Sequence, residues 1–235
     1  RFLKKMTEEN FKNGQVLLID KPLTWTSFQA VNKLRWHIKQ RFAIKKIKVG
    51  HAGTLDPLAT GLLIICTGKQ TKEIHTYQGQ PKEYTGTITL GATTPSYDLE
   101  TEVDEVFPID HITEETLQTK SKQFIGDLEQ KPPIFSAIKK DGKRLYDLAR
   151  RGETTEIKSR TITISEFEIT KVNLPNVEFR VVCSKGTYIR SLAYDFGKAL
   201  NSGAHLSTLR RTKIGDFSVQ NAKSIEGFIA TLASK

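Results

Sequence analysis

One carboxylate, Asp56, lies among three glycines in the segment Gly50-His51-Ala52-Gly53-Thr54-Leu55-Asp56-Pro57-Leu58-Ala59-Thr60-Gly61. Because a proline disfavours helical geometry in the residue before it, Pro57 predicts that Asp56 lies in an extended, stiff loop. The glycines allow another molecule to approach the backbone closely. Taken alone, the pattern favours an ordinary tight turn, whose aspartate bonds its own backbone, over a functional carboxylate.

The flanking segments predict elements that support this loop. The apolar run Leu62–Ile65 is typical of a buried strand. Earlier in the chain, Thr26 or Ser27 is a candidate N-cap for a helix that ends near Phe42 and carries apolar residues at helical spacing. The other face of this helix is basic. It leads into a basic loop before Gly50, which brings positive charge beside Asp56.

Length and charge narrow the class of protein. A chain of 235 residues fits one large domain or two small ones, and its net charge of +10 favours nucleic acid first and an anionic membrane second. Residues 32–50 hold seven Lys or Arg and no acid, whereas residues 97–117 hold eight acids and no Lys or Arg. This separation indicates a charged face, although a solvated charge run is an alternative. The predicted elements favour one α+β domain over residues 14–235, after a disordered segment 1–13.

The two cysteines, Cys66 and Cys183, lie in apolar runs and are expected to be buried free thiols in a reducing compartment. The spacing of Cys and His matches no zinc motif, so we expect no metal. No apolar run reaches the ~20 residues that span a bilayer, and no signal peptide is visible. These features favour a cytoplasmic protein.

Residues 131–160 carry nine Lys or Arg and four acids, with aromatic residues between them. This composition is typical of a mobile arm that grips phosphates, or of an ordinary exposed loop and helix. Farther on, Thr187 is a candidate N-cap for a helix that ends near Leu200. Arg190 would then lie in the first turn, where the helix dipole disfavours a cation. A carboxylate or phosphate partner is therefore expected for Arg190.

Six groups of motifs follow one another along the chain: Lys21-Pro22 with Thr26-Ser27, then Gly50–Pro57, then Tyr84 leading to Leu90-Gly91, then Lys131-Pro132-Pro133 with Ser136-Ala137 and Gly142-Lys143, then Cys183–Arg190, and finally Ala204-His205-Leu206 with Leu209-Arg210-Arg211. In this order they resemble the TruB family of tRNA pseudouridine-55 synthases. The resemblance extends over roughly residues 14–220. Several separate motifs in one order are far more specific than the Asp56 loop alone.

The resemblance implies the pseudouridine synthase fold, in which a central mixed, mainly antiparallel sheet is flanked by helices and carries the active-site cleft. It implies that the enzyme isomerises uridine 55 in the T-loop of tRNA, with a flipped base and without any cofactor. Asp56 would be the catalytic carboxylate, and Arg190 would pair with it. Tyr188 would lie near the base and remove the C5 proton, while Tyr84 would stack on the extruded uracil.

Further residues are assigned to the substrate by the same resemblance. His51 would fill the space that the base leaves, and Lys72 and Leu209 match lesser positions at the pocket. Without the family, these three would be a loop histidine, a surface lysine and a core leucine. The candidate contacts to the RNA backbone are basic residues, namely Lys45, Lys46, Lys139, Lys143, Arg144, Arg150, Arg151, Arg210 and Arg211; for the last two, surface charge is an equal alternative.

The chain departs from the family pattern at three points. Thr24 and Thr101 stand where glycine is usual, and the C-terminal RNA-binding domain of the PUA type is expected to be absent. Residues 131–153 resemble the RNA-gripping arm of bacterial members, and we expect a monomer that needs no protein partner.

Two other functions remain open at this point. A guide-RNA-dependent relative would share the fold, but residues 131–152 argue against it. A non-catalytic RNA-binding or tRNA-folding protein would use the same basic faces. The presence of Asp56, Tyr84, Tyr188 and Arg190 together favours catalysis.

Overall fold

The structure is a computed structural model that describes residues 6–136, 139–140, 143–145, 147, 151–152 and 157–233. The chain divides into two compact units, residues 1–84 with 210–235 and residues 85–209. In the described part of the chain, no helix is both long and apolar enough to cross a membrane.

The elements follow one another along the chain with these bounds: α1 Glu8–Asn13, β1 Val16–Lys21, α2 Ser27–Phe42, β2 Val49–His51, β3 Ala59–Thr67, a 3-10 helix Gly68–Glu73, α3 Ile74–Gly79, β4 Lys82–Leu90, β5 Ala92–Thr93, β6 Glu105–Val106, α4 Glu114–Lys122, β7 Gly126–Gln130, β8 Lys139–Lys140, β9 Lys143–Arg144, β10 Arg160–Asn173, β11 Asn176–Cys183, α5 Ile189–Ala199, β12 Ala204–Ile214, β13 Phe217–Ser218, a 3-10 helix Val219–Asn221, β14 Lys223–Ser224 and α6 Ile225–Ala233. Two strands, β4 and β12, begin in one unit and end in the other.

The first unit is built around β3, which pairs antiparallel with β1 and β2, while β1 pairs parallel with β14. Successive side chains of a strand point to opposite faces, and both faces of β3 are covered. Leu63 and Ile65 pack into a core with α2 and α6, whereas Leu62, Ile64 and Cys66 pack into a second core. The predicted buried strand is therefore confirmed, and it is buried on both sides.

The sequence predicted disorder for residues 1–13, but Glu8–Asn13 form helix α1. Thr7 caps it, because the Thr7 hydroxyl accepts a hydrogen bond from the Asn10 backbone N–H and the Asn10 side-chain oxygen accepts one from the Thr7 backbone N–H. Phe11 is fully buried, with ring contacts to Phe42 and Phe228. A helix of this length is not stable by its own propensity, so the packing of Phe11 stabilises it.

The second unit contains a sheet in the order β12–β4–β11–β10–β7, and its described pairs β11–β10 and β10–β7 are antiparallel. Phe124, Phe167, Phe179 and Phe196 make edge-to-face contacts in its interior. Helices and mainly antiparallel strands in both units confirm the α+β class.

Helix α5 begins later than predicted. Its N-cap residue is Tyr188, which makes no side-chain cap bond, and the helix starts at Ile189. The Thr187 hydroxyl instead donates a hydrogen bond of 3.0 Å to the Ser184 carbonyl oxygen. The prediction of Thr187 as N-cap is wrong because its hydroxyl closes the preceding turn.

Candidate active site

The Asp56 loop in the first unit is attached to the start of α2. The Leu55 backbone N–H donates a hydrogen bond of 2.8 Å to the Ser27 hydroxyl, and that hydroxyl donates one of 3.2 Å back to the Leu55 carbonyl oxygen. Ser27 and Leu55 are both buried. Since Thr26 caps α2, the neighbouring Ser27 side chain is available to hold the residue before the carboxylate. The sequence identified Ser27 as a possible cap and as part of a family motif, and did not predict its bond to the Asp56 loop.

Thr24 fixes the other side of the same loop. Its backbone N–H donates a hydrogen bond of 2.8 Å to the Pro57 carbonyl oxygen. Thr24 has a φ of 70°, in the left-handed region that favours glycine. The turn therefore uses the backbone conformation of a glycine, although threonine occupies the position.

Arg211 lies beneath the loop and is buried, with 2% of its surface exposed. Its guanidinium donates hydrogen bonds to the carbonyl oxygens of Leu62 at 2.8 Å and Gly53 at 3.1 Å. The prediction that Arg211 contacts the RNA backbone is wrong, because its donors are used inside the protein. It ties the glycine-rich loop to β3.

Lys21 is a second buried cation near the carboxylate, and the sequence did not assign it to the site. Its ammonium group donates hydrogen bonds to the carbonyl oxygens of Pro22 and Trp25. Burial lowers the pKa of Lys21 to about 8, the negative charge of Asp56 opposes that shift, and Arg211 adds to it. Lys21 therefore lies within electrostatic range of Asp56. The Lys-Pro motif was the only sequence signal for it.

His51 ends β2, opposite Ile65 of β3, and is half-buried. Burial lowers the pKa of His51, and the charge of Arg211 lowers it further. Because the ordinary pKa of histidine already lies below 7, this lowering favours the neutral imidazole near pH 7.

The remaining predicted pocket residues lie at different places. Tyr84 is buried on β4 in the first unit, and Leu209 is half-buried on β12 in the second. Lys72 lies in the 3-10 helix after β3, whereas Asp56 precedes β3. The assignment of Lys72 to the uridine pocket stays a prediction.

Tyr188 is held in the second unit by a residue that the sequence did not identify. The side-chain amide of Gln130 accepts a hydrogen bond of 2.8 Å from the Tyr188 backbone N–H and donates one of 3.0 Å to its carbonyl oxygen. The guanidinium of Arg160 lies 4.8 Å from the centre of the Tyr188 ring. These contacts orient the tyrosine at the start of α5.

Arg190 is buried in the same unit, at 5% exposure. Its guanidinium donates hydrogen bonds of 2.9 Å to the Phe135 carbonyl oxygen and 3.2 Å to the Ser96 carbonyl oxygen. Asp98 supplies a carboxylate oxygen 3.8 Å from Arg190 Nε. A carboxylate neighbour was expected for this cation, and Asp98 is one; the pairing of Arg190 with Asp56 stays a prediction.

The Ser96–Thr101 turn orients Asp98. The Ser96 hydroxyl donates a hydrogen bond of 2.6 Å to the Asp98 carboxylate, and the Thr101 hydroxyl accepts one of 3.0 Å from the Ser96 backbone N–H. Thr101, which stands where the family has glycine, therefore supplies a side-chain bond to this turn.

The other predicted RNA contacts divide into three groups. Lys45, Lys46 and Arg151 are exposed. Arg210 makes a two-pronged ion pair with Asp20, at 2.8 and 3.0 Å, so its charge is compensated within the first unit. The last group lies in the predicted arm: the backbones of Lys139, Lys143 and Arg144 form the β8–β9 hairpin, and Arg150 lies outside the described residues.

Comparison with known proteins places the chain in a family. Residues 39–189 match the TruB family pseudouridylate synthase N-terminal domain, and residues 190–233 match the tRNA pseudouridylate synthase B C-terminal domain. The tRNA pseudouridine synthase B of Flavobacterium johnsoniae is 66% identical over 228 residues, which are 97% of this chain and 100% of the relative. The namesake from Phocaeicola vulgatus is 59% identical over 219 residues, 93% of each chain.

A solved structure agrees with this result. One chain of a Cbf5-Nop10-Gar1 complex matches with a TM-score of 0.71 and 29% identity, over 95% of this chain and 55% of that chain. The protein spans little more than half of that longer chain. With both family domains matched in order along residues 39–233, the chain belongs to the TruB family of pseudouridylate synthases.

Proposed function

We propose that the protein converts uridine 55 in the T-loop of tRNA into pseudouridine, with Asp56 as the catalytic carboxylate and no cofactor. The main observation in favour of the proposal is that hydrogen bonds hold the Asp56 loop in place, in a chain that belongs to this family. Ser27, Thr24 and Arg211 bond to the loop at three points, Leu55, Pro57 and Gly53. A rigidly held group loses little entropy when it meets the substrate, which is what positions a catalytic side chain.

The proposed reaction is an isomerisation, so one carboxylate is sufficient. The bond between C1′ and N1 breaks, the uracil turns, C5 bonds to C1′, and the C5 proton leaves as N1 gains one. No electrons are gained or lost overall. Ionised Asp56 would either attack C1′ and form an acylal, or remove a sugar proton and form a glycal.

The target uridine must leave its stack before Asp56 reaches the sugar, at a cost of a few kcal/mol. Stacking of the extruded base on Tyr84 would recover about 1–3 kcal/mol of that cost. His51 would occupy the vacated space, and Leu209 would contact the base. In this proposal Tyr188 accepts the C5 proton, and Arg190 pairs with Asp56 during the reaction.

The proposed partner is tRNA, bound by a monomer in the cytoplasm without another protein. The net charge of +10 and the exposed Lys45 and Lys46 support a polyanionic substrate. The predicted arm, residues 131–153, would contribute further phosphate contacts.

Tritium release from C5-labelled uridine in an unmodified tRNA transcript tests the proposal. Wild type should release tritium from one T-loop uridine, whereas Asp56→Asn should release none and bind the transcript with nearly unchanged affinity. Asp216→Asn is the matched control, because Asp216 is an exposed carboxylate in the same unit. Turnover by Asp56→Asn would refute the catalytic assignment, and tight binding without turnover by wild type would favour a non-catalytic RNA-binding protein.

A further inference from the structure

A cavity of about 250 Å³ in the first unit has a strongly basic lining. No acid occurs among the described residues that line it, and five lysines do: Lys12, Lys46, Lys48, Lys69 and Lys72. They come from α1, from the loop before β2 and from the 3-10 helix after β3. We call it the lysine cavity.

The backbone at Gly68 holds these three segments together. The Gly68 N–H donates a hydrogen bond of 2.8 Å to the Lys48 carbonyl oxygen, and the Thr67 hydroxyl donates one of 3.0 Å to the Phe11 carbonyl oxygen. A Cβ at Gly68 would lie 2.1 Å from the Lys12 carbonyl oxygen, so only glycine permits this close packing. The walls of the lysine cavity are therefore fixed by backbone contacts.

The positive charge of the lysine cavity is only partly compensated inside the protein. Lys12 pairs with Glu8, and the Lys69 ammonium group donates a hydrogen bond of 3.3 Å to the Asn13 side chain. Gathering like charges in one concave surface costs stability, and the same arrangement attracts anions. Several ammonium groups converging on one cavity match the oxygens of a phosphate group.

We propose that the lysine cavity binds a phosphodiester of the RNA substrate, at a second contact apart from the target uridine. The cavity includes Gly68, which follows the last residue of β3, whereas Asp56 precedes the first residue of that strand. Lys46 was separately expected to contact the RNA backbone. In this proposal Lys72 contributes to the phosphate site and not to the uridine pocket, and Lys12, Lys48 and Lys69 complete the site. The inference rests on the proposed function only in taking RNA as the ligand.

The test compares wild type with Lys48→Ala/Lys69→Ala in binding to an unmodified tRNA transcript at a series of salt concentrations. Loss of two phosphate contacts should reduce the slope of log affinity against log salt by about 2. The dissociation constant should rise by roughly tenfold at low salt. At saturating tRNA the kcat should be unchanged, since Asp56 does not line the cavity. Because binding is the main readout, the result does not depend on whether Asp56 is catalytic.

Two control variants separate this role from general charge and from folding. Lys223→Ala removes an exposed lysine of the same unit that does not line the cavity, and it should leave the salt slope unchanged. Lys48→Arg/Lys69→Arg keeps both charges and should restore binding. An unchanged salt slope in the Ala double variant would overturn the proposal. The proposal would also be overturned if the Ala double variant bound inorganic pyrophosphate more weakly but bound tRNA with unchanged affinity. The cavity would then bind free phosphate compounds and not the RNA.

Discussion

Replacing Ser27 with alanine should slow the reaction by loosening the residue that precedes Asp56. The Ser27 hydroxyl bonds both the N–H and the carbonyl oxygen of Leu55, which is 3% exposed. Without it, a buried N–H has no acceptor, at a cost of about 1–3 kcal/mol. If the loop moves to relieve that cost and must return in the transition state, kcat falls by about 5–150-fold.

The assay is tritium release at saturating tRNA, together with the affinity for tRNA and the melting temperature of Ser27→Ala. Affinity should change little, because Ser27 is buried under the loop. The melting temperature should fall by roughly 2–4 °C for each kcal/mol lost in a protein of this size.

Ser121→Ala is the matched control. Ser121 is also a buried serine, but its hydroxyl donates to the Gln118 carbonyl oxygen on α4. That variant should keep its kcat. A lower melting temperature with an unchanged kcat in Ser27→Ala would refute the reasoning, because Ser27 would then stabilise the fold without positioning Asp56.

Three further predictions concern the interior of the first unit. Gly61 has a φ of +106°, and a Cβ there would lie 2.3 Å from the Arg211 carbonyl oxygen. Gly61→Ala should therefore lower the free energy of unfolding, measured in urea, by roughly 2–5 kcal/mol. Gly79→Ala meets no atom within 4 Å and should cost far less; equal losses would contradict the packing argument. Burial lowers the pKa of Lys21 in the folded protein to about 8, so the unfolded chain keeps this proton to higher pH. The free energy of unfolding of wild type should therefore increase relative to that of Lys21→Met as the pH rises above about 8. A difference that does not change with pH would contradict this. Burial raises the pKa of the Cys66 thiol to about 11, so maleimide should label it near pH 8 only after unfolding, and rapid labelling of the native protein would show that the thiol is accessible.

The elements that the sequence predicted well are those with strong local signals. The apolar run after Asp56 and the helical spacing from Ser27 to Phe42 specify burial by their period alone, and both elements formed where expected. Helix α1 was missed because six residues carry little propensity, and the burial of Phe11 together with the Thr7 cap holds them. Thr187 was misjudged because a hydroxyl beside a turn has two possible uses, and local sequence does not choose between them.

For the candidate site too, some features were predictable from the sequence and others were not. The order of the motifs along the chain was enough to establish the family, and the Gly-rich segment with Asp56 and Pro57 was enough to predict a stiff loop around the carboxylate. Only the tertiary structure decided which cations are exposed and which are used inside the fold. Arg210 and Arg211 are adjacent in sequence, yet Arg210 pairs with Asp20 at the surface while Arg211 is buried under the loop. The physical reason is that strand neighbours point to opposite faces, so what each one meets depends on residues distant in the chain.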